Sequence, residues 1–258
     1  MNKKYFFFDI DGTLTQGGPG STVSDKTKST LCELESNGHF VAIATGRAHF
    51  LAMQVAKEVG IRNLVCEGGN GLVLENELLS YQPLDLDFCI HIIEEAEQAG
   101  FGYALSMDDT RISHTHNNKF IEQAGTFEIF MTINVDSQFD YHNIKEIRRI
   151  YISIAPEQEY LLPDLVEQGA MRYGPKFIII EPSDKFKGIS KLMNILEAPV
   201  EDVVVFGDGM NDIRMFNDAP FSIAMGNAIP ELKQLANYVT TRNDEEGILH
   251  ACKHFNWL

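Results

Sequence analysis

Near its amino terminus the chain reads YFFFDIDGTL over residues 5–14. Four aromatic residues come first, and two acids and a glycine follow within four positions. A short apolar run that ends in turn residues predicts a buried strand of a parallel sheet. The two acids, Asp9 and Asp11, lie two residues apart in the turn, where they can point to the same side and share one cation. Acids are also common at strand ends without any function, so this run alone leaves both interpretations open.

The residues that follow continue the alternation of strands and helices. The sequence predicts helices at residues 25–37 and 45–59 and strands at residues 40–44 and 64–66. This order is typical of a parallel sheet with crossover helices.

The pattern changes after about Leu79 and returns after Pro182. Residues 101–107 and 111–113 predict paired strands around the turn at Asp108 and Asp109. A helix at residues 187–196 and a strand at residues 203–206 then restore the parallel pattern. We therefore predict an α/β fold with a Rossmann-like parallel-sheet core, residues 1–82 and 183–258, and an inserted α+β domain, residues 83–182, with antiparallel strands.

Composition narrows the class of partner. The 258 residues carry a net charge of −16, and an acidic surface repels nucleic acid and anionic membranes. No apolar run approaches the length of a membrane span. The four cysteines form no C-x-x-C pair or zinc pattern, which favours reduced thiols in a cytoplasmic protein. A small phosphorylated metabolite is still possible as the partner, because its site needs only local positive charge, whereas neither nucleic acid nor a membrane is expected. The sequence does not predict an oligomeric state.

Two short motifs could bind an anion. Thr45-Gly46-Arg47 places a hydroxyl and backbone amides at the start of a predicted helix, a ready anion site, although a plain helix cap is the simpler interpretation. Lys187-Gly188 begins another predicted helix, and a lysine is a compact charge suited to phosphate. Most lysines are solvated, and the nearby Lys185 and Lys191 could be confused with Lys187.

The strongest signal is residues 207–212, which read GDGMND. Two acids, Asp208 and Asp212, and one amide, Asn211, crowd a glycine turn directly after a predicted buried strand. Carboxylates that converge at close range repel each other unless a cation lies among them. A small set of hard oxygen ligands suits Mg²⁺, which keeps several waters.

Taken in order, these four motifs resemble those of the haloacid dehalogenase-like superfamily of phosphatases. The motifs closely resemble those of the Cof-like group, whose members carry a large α+β cap, the type IIB cap, between the second and third motifs. Further matches follow in the same order: Asn70-Gly71, residues 224–228 (AMGNA), residues 236–240 (ANYVT) and residues 246–248 (EGI).

The resemblance implies a catalytic and a metal-binding set. Asp9 would be the nucleophile, and Asp11 the general acid and then the general base. Mg²⁺ would be held by Asp9, the backbone carbonyl of Asp11 and Asp208, with Asp212 binding it directly or through an intervening group.

It also implies a phosphate-binding and a substrate-binding set. Thr45, Gly46, Lys187 and Asn211 would hold the phosphoryl oxygens. Arg47 and Asn70 are predicted to contact the substrate. The active site is expected between the core and the cap, and the cap would choose the substrate and exclude water.

The predicted function is therefore Mg²⁺-dependent hydrolysis of a small phosphate monoester through an aspartyl-phosphate. The resemblance alone makes sugar phosphates the leading class, and pyridoxal, flavin or nucleotide phosphates come next. A phosphomutase or phosphotransferase would use the same aspartyl-phosphate, so the motifs leave it open. The third hypothesis is a non-catalytic protein that binds phosphorylated metabolites.

Overall fold

The computed structural model describes residues 2–17, 20–126, 131–163, 165 and 170–258. The chain divides into two compact units. The first is formed by Met1–Tyr81 and Ser183–Leu258, and the second by Gln82–Pro182. Gln82, predicted to lie in the core, belongs to the second unit.

The strands, in chain order, are β1 (Tyr5–Phe8), β2 (Phe40–Ala44), β3 (Leu64–Cys66), β4 (Gly71–Leu74), β5 (Glu77–Tyr81), β6 (Tyr103–Ser106), β7 (Ile112–Thr115), β8 (Thr132–Val135), β9 (Arg149–Ile152), β10 (Met171–Gly174), β11 (Phe177–Ile180), β12 (Val203–Gly207), β13 (Ser222–Ala224) and β14 (Tyr238–Val239). The helices are α1 (Asp25–Ser36), α2 (His49–Val59), α3 (Leu86–Gln98), α4 (Lys119–Ala124), α5 (Lys185–Ile195), α6 (Ile213–Asp218), α7 (Pro230–Leu235) and α8 (Gly247–His254).

The first unit is built on an eight-stranded sheet in the order β14-β13-β12-β1-β2-β3-β4-β5. Neighbours from β14 to β3 are parallel, whereas β4 and β5 are antiparallel additions at one edge. β1 therefore lies inside the sheet, between β2 and β12. This is the predicted parallel α/β core.

Helices cover both faces of this sheet. Phe6 and Phe8 pack with side chains from α1, α2 and α8. Tyr5 and Phe7 pack on the opposite face with side chains from α5, α6 and α7. A strand that is buried on both faces needs apolar residues at every position, which is why the aromatic run of β1 does not alternate with polar residues.

The second unit has a six-stranded sheet in the order β10-β11-β9-β6-β7-β8. One face packs on α3, and Phe120 of α4 lies in a separate cluster with Ala104 and Tyr151. The predicted hairpin is present as β6 and β7, which pair antiparallel. β7 and β8 are parallel, unlike the all-antiparallel expectation. The connection between them contains α4, and such a crossover is what a parallel pair requires.

Within the described ranges, none of the helices combines the length and the apolar character needed to span a membrane.

Candidate active site

Several of the predicted site residues of the first unit lie where neighbouring parallel strands end. Asp9 follows β1, Thr45 follows β2, and Asp208 follows β12. Because these three strands are adjacent and parallel, their carboxyl ends lie at one edge of the sheet. From β1 the chain continues to β2 on one side of β1, whereas β12 lies on the other side. The strand order therefore reverses at β1, and parallel α/β sheets bind ligands at the carboxyl ends of the strands next to such a point.

A buried lysine joins two of the acids. The Nζ atom of Lys185 donates to Asp9 Oδ1 at 2.7 Å and to Asp212 Oδ1 at 2.6 Å. The side chains of Lys185 and Asp9 are 2% and 4% exposed, and that of Asp212 is fully buried. Buried charges are found paired in this way because an unpaired one would lose its hydration without compensation.

Three carboxylates form a group that could hold a metal ion. Asp9, Asp208 and Asp212 each offer one oxygen, and these oxygens lie within 4.8 Å of one another. Lys185 offsets only part of their negative charge. Hard oxygen donors in small number match the preference of Mg²⁺, so the residues present fit the predicted ion.

Burial and mutual repulsion disturb the ionisation of this group. Burial, followed by the charge of Asp212, raises the pKa of Asp208 to about 7. Burial also raises the pKa of Asp9, against the opposing effect of Lys185. Burial alone would lower the pKa of Lys185, but the carboxylates of Asp212 and Asp9 outweigh it and raise that pKa, so the ammonium form is retained. A cation among the acids would relieve the same repulsion.

Asp212 also shapes the turn that carries Asp208. Its Oδ2 atom accepts hydrogen bonds from the backbone N–H groups of Asp208 and Gly209, both at 3.0 Å. Its other oxygen accepts from Lys185. Asp212 therefore orients the turn that carries Asp208, and as one of the three acids it could also bind a metal, directly or through an intervening group.

The lysine assignment from the sequence needs correction. Lys187 is exposed, and the lysine in contact with Asp9 is Lys185. Asp184 caps α5, so Lys185 is its first residue. Two further positions along an α-helix turn a side chain by about 200°, which directs Lys187 away from the site. The neighbouring Gly188, which had suggested Lys187, marks a packing contact instead.

Gly188 lets α5 approach the sheet closely. A Cβ atom at this position would lie 2.5 Å from Val65 Cγ1 and 2.7 Å from the carbonyl oxygen of Gly69. Neither distance is compatible with a side chain. The close contact of α5 with the end of β3 holds the first turn of the helix, and therefore Lys185, near the end of β1.

We expect Gly188→Ala to destabilise the protein by about 1–2 kcal/mol, because overpacking outweighs the usual helix gain from alanine. Urea unfolding followed by far-UV circular dichroism measures the change. Ser190→Ala on the same helix is the control and should leave the midpoint nearly unchanged. A Gly188→Ala midpoint equal to that of the wild type would contradict the packing argument.

The loop after β2 is held by a residue that the sequence analysis did not assign. α2 begins at His49 rather than at Thr45, and Ala48 at its cap offers no side-chain acceptor. Glu67 Oε1 takes that place by accepting from the backbone N–H of His49 at 3.0 Å. Glu67 is 2% exposed and has a positive φ of 50°, which is unusual for a residue with a side chain. In the sequence it stood out only as the acid before two glycines.

Within this loop the Thr45 hydroxyl oxygen accepts from the backbone N–H of Arg47 at 3.1 Å. Thr45 is 1% exposed, and Gly46 follows it at the edge of the sheet. The hydroxyl hydrogen of Thr45 is still available for donation in this arrangement. Contact of Thr45 and Gly46 with a phosphate stays a prediction.

Asp11 and Arg47 form a bidentate ion pair. Arg47 Nε donates to Asp11 Oδ2 at 2.9 Å, and Arg47 Nη2 donates to Asp11 Oδ1 at 2.6 Å. Arg47 thus engages the Asp11 carboxylate, which among the described residues lies outside the group of three acids. A cation shared by the carboxylates of Asp9 and Asp11 stays a prediction. A metal contact through the Asp11 backbone carbonyl is not affected.

Two further predicted residues lie in turns near these elements. Asn211 is half-buried in the turn Met210–Asp212. Asn70 is half-buried, ends the turn Glu67–Gly69 and donates its backbone N–H to the Glu67 carbonyl at 3.1 Å. Their contacts with phosphate and substrate remain predictions.

Comparison with known proteins identifies the family. The model of the haloacid dehalogenase-like hydrolases matches residues 6–252. The chain belongs to the haloacid dehalogenase-like hydrolase family. This membership confirms the resemblance of the motifs and the prediction of a hydrolytic enzyme.

Three similar proteins match along all or nearly all of the chain. The candidate phosphatase YkrA of Bacillus subtilis is 30% identical, with 100% of both chains covered. YitU of Bacillus subtilis, a 5-amino-6-(5-phospho-D-ribitylamino)uracil phosphatase, is 25% identical, with 96% of this chain and 95% of the relative covered. The crystal structure of a hypothetical protein of Geobacillus kaustophilus has a TM-score of 0.83, 30% identity and 100% coverage of both chains.

Proposed function

We propose that this protein is a Mg²⁺-dependent phosphatase that acts on a small phosphate monoester through an aspartyl-phosphate on Asp9. The observation that carries the proposal is the buried contact of Asp9 with Lys185, beside the carboxylates of Asp208 and Asp212. A nucleophilic carboxylate and a phosphate are both anions. A site that brings them together needs fixed positive charge, and this site supplies a lysine and a place for a cation.

The proposed reaction has two steps. Asp9 attacks phosphorus while the ester P–O bond breaks, and Asp11 gives a proton to the leaving alcohol oxygen. Water then attacks phosphorus, Asp11 takes its proton, and the bond between Asp9 and phosphorus breaks to release phosphate. Arg47 holds the Asp11 carboxylate in this structure. Because a phosphate can bind the same guanidinium, substrate binding would free Asp11 for proton transfer.

Asp9, Asp208 and the backbone carbonyl of Asp11 would hold Mg²⁺, with Asp212 binding it directly or through an intervening group and orienting the turn that carries Asp208. When bound, the ion neutralises negative charge on the phosphoryl oxygens and the carboxylates. Lys185 takes the phosphate-binding role that the sequence analysis gave to Lys187. Thr45, Gly46 and Asn211 complete the proposed phosphate contacts, and Asn70 the proposed substrate contacts.

The proposed substrate is a sugar phosphate or a close chemical analogue. The relative YitU is named as a phosphatase of a compound that carries a phosphorylated ribityl group. Such a group and a sugar phosphate share a phosphate ester on a polyhydroxylated carbon chain, which supports this class ahead of pyridoxal phosphate or nucleotides.

The second unit is proposed to act as the cap that selects among these substrates. The four cysteines are thiols and not disulfides, which supports the proposed cytoplasmic location.

The test is phosphate release from a panel of sugar, sugar-alcohol, pyridoxal, flavin and nucleotide phosphates, measured with Mg²⁺ and with EDTA. We expect release concentrated on the polyhydroxylated esters and a loss of at least about ten-fold in EDTA, because the ion offsets charge in the transition state. Restoring Mg²⁺ after EDTA treatment is the control and should recover the rate.

Other outcomes separate the alternatives. A phosphorylated isomer without free phosphate would favour a phosphomutase. Binding of panel members with no turnover of any of them, at saturating Mg²⁺, would favour a non-catalytic protein. Release that is unchanged in EDTA would contradict the metal-dependent mechanism.

A further inference from the structure

The segment after β13 contains an asparagine, Asn227, that contacts the proposed metal site but is not one of its proposed ligands. Residues 224–228 match the family pattern, but no role was assigned to them from the sequence. Asn227 lies three residues after the end of β13, the neighbour of β12 in the sheet. Its side chain is therefore carried to the same edge of the sheet as Asp208.

Asn227 contacts two of the loops that form the site. Its Nδ2 atom donates to the backbone carbonyl of Gly12 at 2.8 Å and reaches Asp208 Oδ2 at 3.5 Å. Thr13 Oγ1 donates to the other Asp208 oxygen at 3.0 Å. The Asp208 carboxylate is thus oriented from one side by a hydroxyl and from the other by an amide.

Gly12 shows how tightly this part of the site is packed. Its φ is +83°, and a Cβ atom there would lie 2.0 Å from Asp208 Oδ2. The Asp208 carboxylate therefore rests against the backbone of Gly12, whose carbonyl Asn227 holds. A shift of the Gly12 peptide would also disturb Asp11, the preceding residue.

A second asparagine holds the first. The backbone N–H of Asn243 donates to Asn227 Oδ1 at 3.0 Å, which fixes the orientation of the Asn227 amide. The side-chain amide of Asn243 donates to the Thr15 carbonyl at 2.8 Å, three residues beyond Gly12. The segment near the carboxyl end of the chain therefore ties down the loop after β1 at two points.

We infer that Asn227 is a positioning residue for metal binding, holding the Gly12 peptide and the Asp208 carboxylate in place, with Asn243 supporting it. The inference rests on the proposed function, because it assumes that Asp208 binds Mg²⁺. Groups that orient metal ligands contribute to affinity without touching the metal, and their loss costs about 10–100-fold in affinity or activity. Asn227 meets this description through Asp208 and Gly12.

The test is calorimetric titration of the substrate-free protein with Mg²⁺, together with the Mg²⁺ dependence of phosphate release. We expect Asn227→Ala to raise the Kd for Mg²⁺ about ten-fold and to shift the Mg²⁺ dependence of phosphate release to higher concentrations by a similar factor. Asn243→Ala should raise the Kd less, because the Asn243 backbone N–H still holds Asn227 and only the contact with Thr15 is lost.

Asn237→Ala is the matched control. Asn237 accepts from the backbone N–H of Ser222 at 2.7 Å, at the opposite end of β13. It should lower stability without changing the Kd for Mg²⁺. A wild-type Kd in Asn227→Ala, or an equal rise in Asn237→Ala, would overturn the inference while leaving the phosphatase proposal intact. Wild-type protein that binds no Mg²⁺ would overturn both.

Discussion

Asp9→Asn is expected to reduce phosphate release by about 10⁴-fold or more, because it removes the nucleophile and with it the covalent route. The amide keeps the shape of the side chain but cannot attack phosphorus. Burial already raises the pKa of the Asp9 carboxyl, so a neutral group should be tolerated and the fold retained. Phosphate release at saturating Mg²⁺ and a thermal unfolding curve measure the two effects.

A direct readout of the nucleophile accompanies this test. Beryllium trifluoride adds to a carboxylate as a phosphate mimic, so fluorine NMR should show an adduct in the wild type and none in Asp9→Asn. Asp25→Asn, an exposed acid in the first turn of α1, is the control and should behave as the wild type. Turnover above background in Asp9→Asn, after mass spectrometry has excluded deamidation, would show that another group is the nucleophile.

Lys185→Met should lower kcat by about 10²–10³-fold, because it removes a buried positive charge beside the reacting phosphate. The same change leaves Asp9 and Asp212 without their shared partner. Breaking a buried ion pair in this way costs about 3–5 kcal/mol, so the unfolding temperature should fall as well. Added Mg²⁺ should recover part of the lost stability, since a cation among the acids replaces some of the missing charge.

The two lysines of α5 offer a matched comparison. Lys187→Met removes the same charge two residues away, from an exposed position, and should change kcat and stability little. Lys185→Arg is a further variant that keeps the charge and should retain more stability than Lys185→Met. If Lys187→Met lost activity and Lys185→Met kept it, the structural correction of the lysine assignment would be wrong.

Local patterns in the sequence were sufficient for the framework of the fold. The aromatic run of β1 and its closing acids predicted a buried parallel strand, and the structure places that strand inside the sheet. The change of pattern after Leu79 predicted the inserted domain. These features depend on side-chain periodicity and on turn residues, which act over a few positions and can therefore be read directly from the chain.

The contacts within the site depended on distant packing. Lys185 and Lys187 carry the same charge and lie two positions apart. They differ in which face of α5 they occupy, and the packing of α5 against β3 decides which face is buried. Asn70-Gly71 and residues 224–228 matched the family pattern. Neither match showed that the nearby Glu67 would reach α2, or that Asn227 would reach the loop after β1.

The central strands and helices followed from local chemistry, because short runs of residues have preferred conformations. The choice of lysine, the pairing of Asp11 with Arg47 and the reach of Asn227 to Gly12 were decided in three dimensions. Each joins residues between 36 and 215 positions apart. Sequence spacing carries no information about such distances until the sheet order brings the strand ends together.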